Sequence, residues 1–356
     1  MIDFWLGVLA LSIFLYVTLD GFDLGVGMLL PLVRDEPGRR EMLAAVAPVW
    51  DGNETWLVVN GTVLFGAFPL VYATLLSAFY LPLIVMLAAL ILRGVSFEYR
   101  DKSVRFRAFW DWAFIGGSLV ASFAQGAAVG ALVVGLPIVD GYYVGGAFGW
   151  LSPFALLCGL GLCLGYMLMG AGWLAYKSPG EVQALAYRML PKLLLGVLLF
   201  LAIAFVSAMR LDLPVMRLWS ARPVLCIFPA AGGAAAILLA WAILRRRRLL
   251  PFLAAIALFA AAFGTLAVSF YPYMIPYSIT AAQAAAPASS QAFLFWGAGI
   301  VILPLTLAYT LAIYVVFKGN VAAGGTYGDL QSDRAPLLPR ERAPSRFGPL
   351  SKESKR

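Results

Sequence analysis

Two carboxylates lie inside the first apolar stretch of the sequence. Asp20 and Asp23 are three residues apart, so on a helix they share one face. An ionisable group at mid-membrane costs about 2.5–3.5 kcal/mol on insertion scales, which makes such a residue a candidate for proton conduction. The alternative is that both reach the headgroups at the inner helix end. Gly21 and Gly25 form a small surface that would let a neighbouring helix approach closely.

Asp51 and Glu54 form a second pair, within the stretch 48–56. In one interpretation Asp51 is an N-cap and Glu54 the N3 residue of a capping box that opens the second span. In the other, the helix begins near Gly38 and both carboxylates lie roughly 20 Å from its start. They would then be buried acids suited to carrying protons. The residues alone leave both interpretations open.

Arg93 lies inside the predicted apolar span 76–97. A buried arginine needs a carboxylate partner, and the acids named above are the natural candidates. An arginine that extends to the interface is equally consistent with the spacing.

The sequence contains no histidine. Because histidine is the usual haem ligand and the commonest metal ligand, we expect no His-ligated haem, copper or zinc in this chain. Any such centre would lie on a partner. The three cysteines, Cys158, Cys163 and Cys226, lie in apolar spans without CxxC spacing, which indicates core packing.

The elements that position these residues are membrane helices. The 356 residues are 62% hydrophobic and 12% charged, far from the roughly 25% charged usage of soluble domains. Unbroken apolar runs of about 20 residues predict an all-α polytopic membrane protein with about nine transmembrane helices. The predicted spans are 4–32, 51–73, 76–97, 112–135, 151–175, 190–209, 223–244, 249–271 and 291–317. The first is too long for a cleavable signal sequence.

Basic residues predict the orientation of these helices. With the N-terminus outside and the C-terminus cytoplasmic, 22 of the 26 Lys and Arg residues lie on the inner side, as the positive-inside rule requires. The same distribution explains the net charge of +8 without a nucleic-acid partner. From about Val321 the sequence is rich in Gly, Pro, Ser and charge, which predicts a disordered basic cytoplasmic tail over 321–356. The break at 271–276 is either a plain loop or part of a contact surface, and we favour the plain loop.

Five motifs, in order along the chain to about Asn320, resemble subunit II of the cytochrome bd quinol oxidases. Details such as Val49-Trp50-Asp51-Gly52-Asn53-Glu54 are most similar to the cyanide-insensitive branch. Better-known members have a histidine where this chain has Val49, so a proton route through that histidine must differ here. The motifs are Thr18–Gly27, Ala47–Trp56, Phe65–Pro69, Arg93–Arg100 and Tyr271–Pro276.

The resemblance implies an architecture and a function. In this family a haem-bearing subunit I carries all three haems, of types b and d, and the quinol site. Subunit II is its nine-helix, haem-free partner in the bacterial inner membrane, which would correspond to residues 1–320. The complex oxidises quinol on the outer side and reduces oxygen to water with cytoplasmic protons. Some members hold a structural quinone in subunit II, but no residue here identifies that site, and none indicates whether a small accessory subunit is present.

The same resemblance assigns roles to the acids. The family's carboxylates at the positions of Asp20 and Asp51 are implicated in a proton path from the cytoplasm toward the haems. Asp51 is therefore the leading proton-path residue, followed by Asp20, with Glu54, Asp23 and Arg93 in support. Two other classes of function remain: a purely structural assembly subunit, and a secondary transporter. The transporter is disfavoured because no matching interruptions mark an inverted repeat.

Overall fold

The structure of the chain is a computed structural model, which describes residues 1–103, 105–211, 219 and 223–321. Within these residues it is a bundle of long helices connected by short turns. Eight of the helical segments are long and apolar enough to cross a membrane. The polytopic all-α prediction is therefore confirmed. The predicted basic tail lies outside the described residues, apart from Val321.

The bounds of the elements follow the predicted spans closely but not everywhere. Four short strands form two hairpins, β1 (Ile138–Val139) with β2 (Tyr142–Tyr143) and β3 (Tyr273–Ile275) with β4 (Ile279–Thr280). The helices are α1 (Ile2–Leu29), α2 (Glu36–Val46), α3 (Trp50–Ala67), α4 (Pro69–Arg100), α5 (Arg107–Val134), α6 (Pro153–Lys177), α7 (Gly180–Arg210), α8 (Ile227–Leu244), α9 (Leu250–Phe270), α10 (Ala281–Ala284), α11 (Ala288–Leu294) and α12 (Ile302–Val316).

Helix α3 occupies the second predicted span, 51–73, but is not among the eight apolar segments. Its 18 residues could extend about 27 Å, yet they include Asp51, Asn53, Glu54 and Asn60. The predicted count of nine therefore stays a prediction. The boundary between the second and third spans was predicted at 73–76, but it lies at Phe68, where the backbone leaves the helical region before α4 begins at Pro69.

Helices α1 and α6 pack with their backbones in contact, through glycine. A side chain on Gly25 would collide with the carbonyl oxygen of Tyr166, and one on Gly170 would lie 2.6 Å from the carbonyl carbon of Gly25. A Cβ on Gly21 would lie 2.6 Å from the Tyr166 ring. The prediction that Gly21 and Gly25 admit a neighbouring helix is confirmed, and that helix is α6.

The last span is broken rather than continuous. A π-helical segment, Phe295–Gly299, separates α11 from α12. The stretch 271–276, predicted as a loop, follows α9 and contributes β3 of a short hairpin. The side chains of Ile275 and Ile279 in that hairpin are 0% and 4% exposed. Their burial stabilises the hairpin.

One end of the bundle collects α2, the α6–α7 turn, the α8–α9 turn and the end of α12, and we call it the α2 end. The indole of Trp173 on α6 donates to the carbonyl oxygen of Ala45 on α2, at 2.9 Å. The ammonium of Lys177 donates to the carbonyl oxygens of Phe317 and Gly319 after α12. These contacts close the α2 end around the inner helices.

Candidate functional site

A buried ion pair joins α1 to α4. Arg93 Nη1 donates to Asp20 Oδ1 at 2.9 Å, and both residues are 0% exposed. Helix α5 approaches α4 closely beside Arg93 at Gly117, where a Cβ would lie 2.6 Å from the carbonyl oxygen of Ala89. The structure thus pairs the predicted arginine with a predicted acid, and Arg93 does not extend to the interface.

The second acid of α1 is also buried but is not hydrogen-bonded to Arg93. Asp23 is 0% exposed, and Asn53 Nδ2 on α3 donates to its Oδ2 at 2.7 Å. Asn53 Oδ1 accepts from the Tyr314 hydroxyl of α12 at 2.9 Å. Asp23 therefore begins a polar chain across three helices. The alternative, in which the α1 acids reach the headgroups, does not agree with their burial, since Asp20 and Asp23 are both 0% exposed.

Several polar atoms of this cluster have no hydrogen-bond partner among the described residues. They are Asp20 Oδ2, Asp23 Oδ1, Arg93 Nε and Arg93 Nη2. These two acceptors and two donors are buried, and ordered water is the usual partner of buried polar groups that the protein leaves unpaired. We call Asp20, Asp23, Arg93 and Asn53 the buried acid cluster.

Glu54 on α3 is the next acid beside this cluster. It is half-buried and lies within electrostatic range of Asp20, Arg93 and Asp51. Within the described residues it has no ion-pair partner. Of the predicted acids, Glu54 is the one between the buried acid cluster and the exposed Asp51.

Asp51 has the position that neither interpretation of the sequence predicted. The N-cap of α3 is Val49, with no side-chain cap, so the capping box is wrong. A helix does begin near Gly38, but α2 ends at Val46 and Asp51 lies in the first turn of α3. Its side chain is exposed on the chain alone. The predicted site residues thus form a series from an exposed acid to two fully buried ones.

A second polar chain lies on the other side of Asp20. Gln125 Nε2 on α5 donates to the Tyr16 hydroxyl at 2.9 Å, and the Tyr166 hydroxyl of α6 donates to Gln125 Oε1 at 2.7 Å. Tyr16 is one helical turn before Asp20. Sequence reasoning did not identify these three residues, although a lone glutamine inside a predicted span was a usable signal.

Another group of charges, at the α2 end, was also missed. Asp111 is 3% exposed and accepts from Arg39 Nη1 at 2.8 Å and Arg100 Nε at 2.5 Å. Glu36 accepts from Arg100 Nη2 at 3.0 Å and Arg40 Nε at 2.9 Å. These five residues, the α2-end ion cluster, tie α2 to α4 and α5. Burial alone would raise the pKa of Glu36, but the hydrogen bonds and charge of Arg100, with Arg40, lower it from its ordinary value.

Histidine and clusters of metal-ligating side chains are the possible cofactor ligands of a protein chain. The sequence has no histidine. No group of three or more Cys, Asp or Glu side chains that could hold a metal ion exists in the part of the chain that the structure describes. The three cysteines are unpaired: Cys163 is buried, Cys158 is half-buried and Cys226 is exposed.

Comparison with known proteins places the chain in a family. The family model described as cytochrome bd terminal oxidase subunit II matches residues 1–317. The probable cytochrome oxidase subunit 2 of Haemophilus influenzae is 34% identical over 345 residues, covering 88% of this chain and 89% of the relative. The cytochrome bd-I ubiquinol oxidase subunit 2 of Escherichia coli K12 is 43% identical over 188 residues, covering 50% and 49%.

A solved structure has the same fold. The bd oxidase from Geobacillus thermodenitrificans contains a chain that superimposes with a TM-score of 0.69, covering 88% of this chain and 98% of that one, at 18% identity. Together with the family model, which spans nearly all of the described residues, these matches show that the chain belongs to the cytochrome bd terminal oxidase subunit II family and is a subunit of an oxidoreductase complex.

Proposed function

We propose that this chain is the haem-free subunit II of a quinol:oxygen oxidoreductase in a bacterial inner membrane. Its acids conduct cytoplasmic protons toward a haem-bearing subunit I, where oxygen is reduced to water. Relatives from Escherichia coli and Bacillus subtilis are named ubiquinol oxidase subunits, which supports the quinol substrate. The observation that carries the proposal is the set of acids within electrostatic range of half-buried Glu54, from exposed Asp51 to buried Asp20 and Asp23.

The charge balance of the buried acid cluster supports proton conduction. Asp20 and Asp23 are fully buried, and Arg93, which is hydrogen-bonded to Asp20, lies within electrostatic range of both. An unpaired charge in a membrane interior is expensive, so neutrality requires one of the two carboxyl groups to hold a proton. A purely structural ion pair would need Asp20 and Arg93 alone. The second acid, bonded to Asn53, adds a group that can take up and release a proton.

The position of the cluster supports a cytoplasmic source for those protons. With the N-terminus outside, the α2 end faces the cytoplasm. Asp23 lies six residues before the end of α1, about 9 Å along the helix, and Arg93 lies seven residues before the end of α4, about 10 Å. The cluster is therefore in the inner half of the membrane, a short distance from water.

The exposure of Asp51 supports a protein partner at the start of α3. A carboxylate facing lipid at this level would be unpaired and costly, whereas a neighbouring subunit can supply hydrogen bonds. Gly52 beside it is buried against Ile313 and Tyr309 of α12, so α12 flanks this face. Subunit I, placed against α3, would receive protons directly from the exposed acid.

The test is oxygen consumption by the assembled oxidase carrying Asp51→Asn. Asparagine keeps the shape but cannot exchange a proton. We expect assembly and haem content to be unchanged and quinol-dependent oxygen consumption to fall about tenfold or more, a modest part of the roughly 10²–10⁴-fold that a positioned proton-transfer group contributes. Asp51→Glu should retain most of the rate.

The matched control is Glu98→Gln, which removes an exposed carboxylate paired with the exposed Lys102. It should leave the rate unchanged. If Asp51→Asn also leaves the rate unchanged, the acids are structural, and the chain is an assembly subunit without a proton path. That alternative is favoured by one observation, the ion pair of Asp20 with Arg93, which would stabilise the fold whether or not protons move.

A further inference from the structure

The turn between α8 and α9 carries four consecutive arginines, Arg245–Arg248, all exposed. Its backbone is a Schellman motif: the amide of Arg246 donates to the carbonyl oxygen of Ile243, and that of Arg247 to the carbonyl oxygen of Ala242, at 3.0 Å each. Arg246 lies at the position of this motif that needs a left-handed backbone, with φ of 47°. Glycine is the usual residue there, because a side chain is strained in that conformation.

Aromatic side chains hold two of these arginines in place. The guanidinium carbon of Arg246 lies 5.7 Å from the ring centre of Tyr187 on α7, and that of Arg247 lies 5.7 Å from the ring centre of Trp241, within the range of cation–π attraction. The Tyr187 hydroxyl donates to the carbonyl oxygen of Arg247 at 2.8 Å. The turn is therefore fixed against α7, although it is exposed.

A third contact ties the turn to α6. Arg248 Nη2 donates to the carbonyl oxygen of Tyr176 at 3.2 Å. None of the four arginines is in an ion pair with the described residues, so their charge is not neutralised within this part of the chain. Arg188 and Lys192, exposed on α7 one helical turn apart, add two cations at the same end of the bundle.

Apolar side chains flank the arginines on both sides. Leu244 before the run is 83% exposed, Leu249 after it is 41% exposed, and Trp241 is 43% exposed. Both α8 and α9 are long and apolar enough to cross a membrane, so the turn between them lies at the membrane surface. A ligand at this place would meet cations at its head and leucine and tryptophan below, which is the layout of a phospholipid at an interface.

We propose that the Arg245–Arg248 turn, with Tyr187 and Trp241, binds the headgroup phosphate of an anionic phospholipid while the exposed leucines contact its acyl chains. Lipid binding would explain why an arginine, rather than a glycine, occupies the strained position 246. Glycine at position 246 would relax the turn, but it would remove the guanidinium that Tyr187 holds. Residues with a strained backbone conformation are common at sites where their side chains contact a ligand.

Arg246→Gly separates the two roles of this residue in one variant. The purified oxidase, stripped of lipid in detergent, is titrated with dioleoylphosphatidylglycerol and, separately, with dioleoylphosphatidylcholine, and bound lipids are counted by native mass spectrometry. We expect the variant to melt at the same temperature or higher, because the turn is relieved of strain. We expect it to bind the anionic lipid about fivefold more weakly, the scale of one interfacial cation, with no change for the zwitterionic lipid.

Two further variants complete the experiment. Arg245→Gln with Arg247→Gln removes two charges without touching the strained position, and should weaken binding of the anionic lipid by a larger factor. Arg105→Gln removes an exposed arginine that also contacts an aromatic ring, Phe106, on another turn of the α2 end, and should have no effect. Inorganic phosphate at millimolar concentration should not compete, because it has no acyl chains.

Three results would overturn the proposal. One is equal binding of phosphatidylglycerol by the wild type, Arg246→Gly and the double variant. Another is a loss in Arg105→Gln as large as in Arg246→Gly, which would indicate a general effect of surface charge. The last is full competition by inorganic phosphate, which would mean that the site binds free phosphate rather than a lipid.

Discussion

Breaking the Asp20–Arg93 pair tests whether the buried acid cluster is a coupled unit. Arg93→Met keeps a long unbranched side chain but leaves Asp20, 0% exposed, without its cation. Removal of one partner from a buried ion pair costs about 3–5 kcal/mol. At about 2 °C per kcal/mol, the value for larger domains, the melting temperature should fall by about 6–10 °C.

Asp20→Asn should cost less than Arg93→Met. Arg93 then still has Asp23 within electrostatic range, so the cation is not left alone. The double variant Asp20→Asn with Arg93→Met removes both charges of the pair, and its loss should be smaller than the sum of the two single losses. A coupling of about 2 kcal/mol or more, at the upper end of the range for contacting residues, is expected.

The assay is thermal unfolding of the purified oxidase at one heating rate and in one detergent, followed by tryptophan fluorescence and by haem absorbance. All three variants are compared with Glu98→Gln, an exposed acid on α4 that should leave the melting temperature unchanged. Additive losses in the double variant would refute the reasoning, because they would mean that Asp20 and Arg93 stabilise the fold independently.

Three further outcomes are expected. The chain purified without subunit I should show no haem absorbance, since it has no histidine ligand, and a stoichiometric haem spectrum would contradict this. Gly25→Ala should lower stability by about 1–3 kcal/mol through overpacking, because its Cβ would meet backbone that cannot rotate away, whereas Gly7→Ala on the same helix, with nothing within 4 Å, should not. The lowered pKa of Glu36 means that its contribution to stability is present above the ordinary glutamate pKa, about 4.3, and is lost as pH falls through the lower folded value. Melting temperatures of wild type and Glu36→Gln should accordingly converge below about pH 4.

The sequence predicted the helical bundle and much of the site because both depend on local chemistry. Apolar length defines a membrane span, and an arginine inside a span requires an acid. Arg93 and the two acids of α1 could therefore be grouped before their contacts were known. Which acid Arg93 bonds depends on how α4 packs against α1, and the sequence does not specify that packing.

The start of α3 could not be predicted for a different reason. The residues from Met42 to Val49 are continuously apolar or small, so hydrophobicity alone does not show where α2 ends. Proline disfavours helical geometry in the residue before it and cannot donate to the preceding turn, and α2 ends at Val46, two residues before Pro48. The break places Asp51 in the first turn of α3. The exposure of Asp51 in the assembled oxidase depends on which surfaces of this chain the other subunits cover.

Asn53 as the partner of Asp23, and Arg100 as a partner of Glu36, were missed because they lie 30 and 64 residues away in the sequence. Asn53 and Tyr314 are 261 residues apart, and neither is unusual in its own helix. The α2-end ion cluster likewise joins residues that each look like ordinary interfacial charge. Their pairing depends on the packing of α2 across α4 and α5, which only the folded chain specifies.

The central claim is that the buried acid cluster passes protons to oxygen reduction in subunit I. The most direct measurement starts the reaction of the fully reduced oxidase with oxygen by a laser flash and follows proton uptake with a pH-sensitive dye, alongside haem absorbance. In Asp23→Asn, oxygen binding should be as fast as in the wild type, and proton uptake should be slowed together with the absorbance changes that depend on it. Proton uptake at the wild-type rate in Asp23→Asn and in Asp51→Asn would contradict the account.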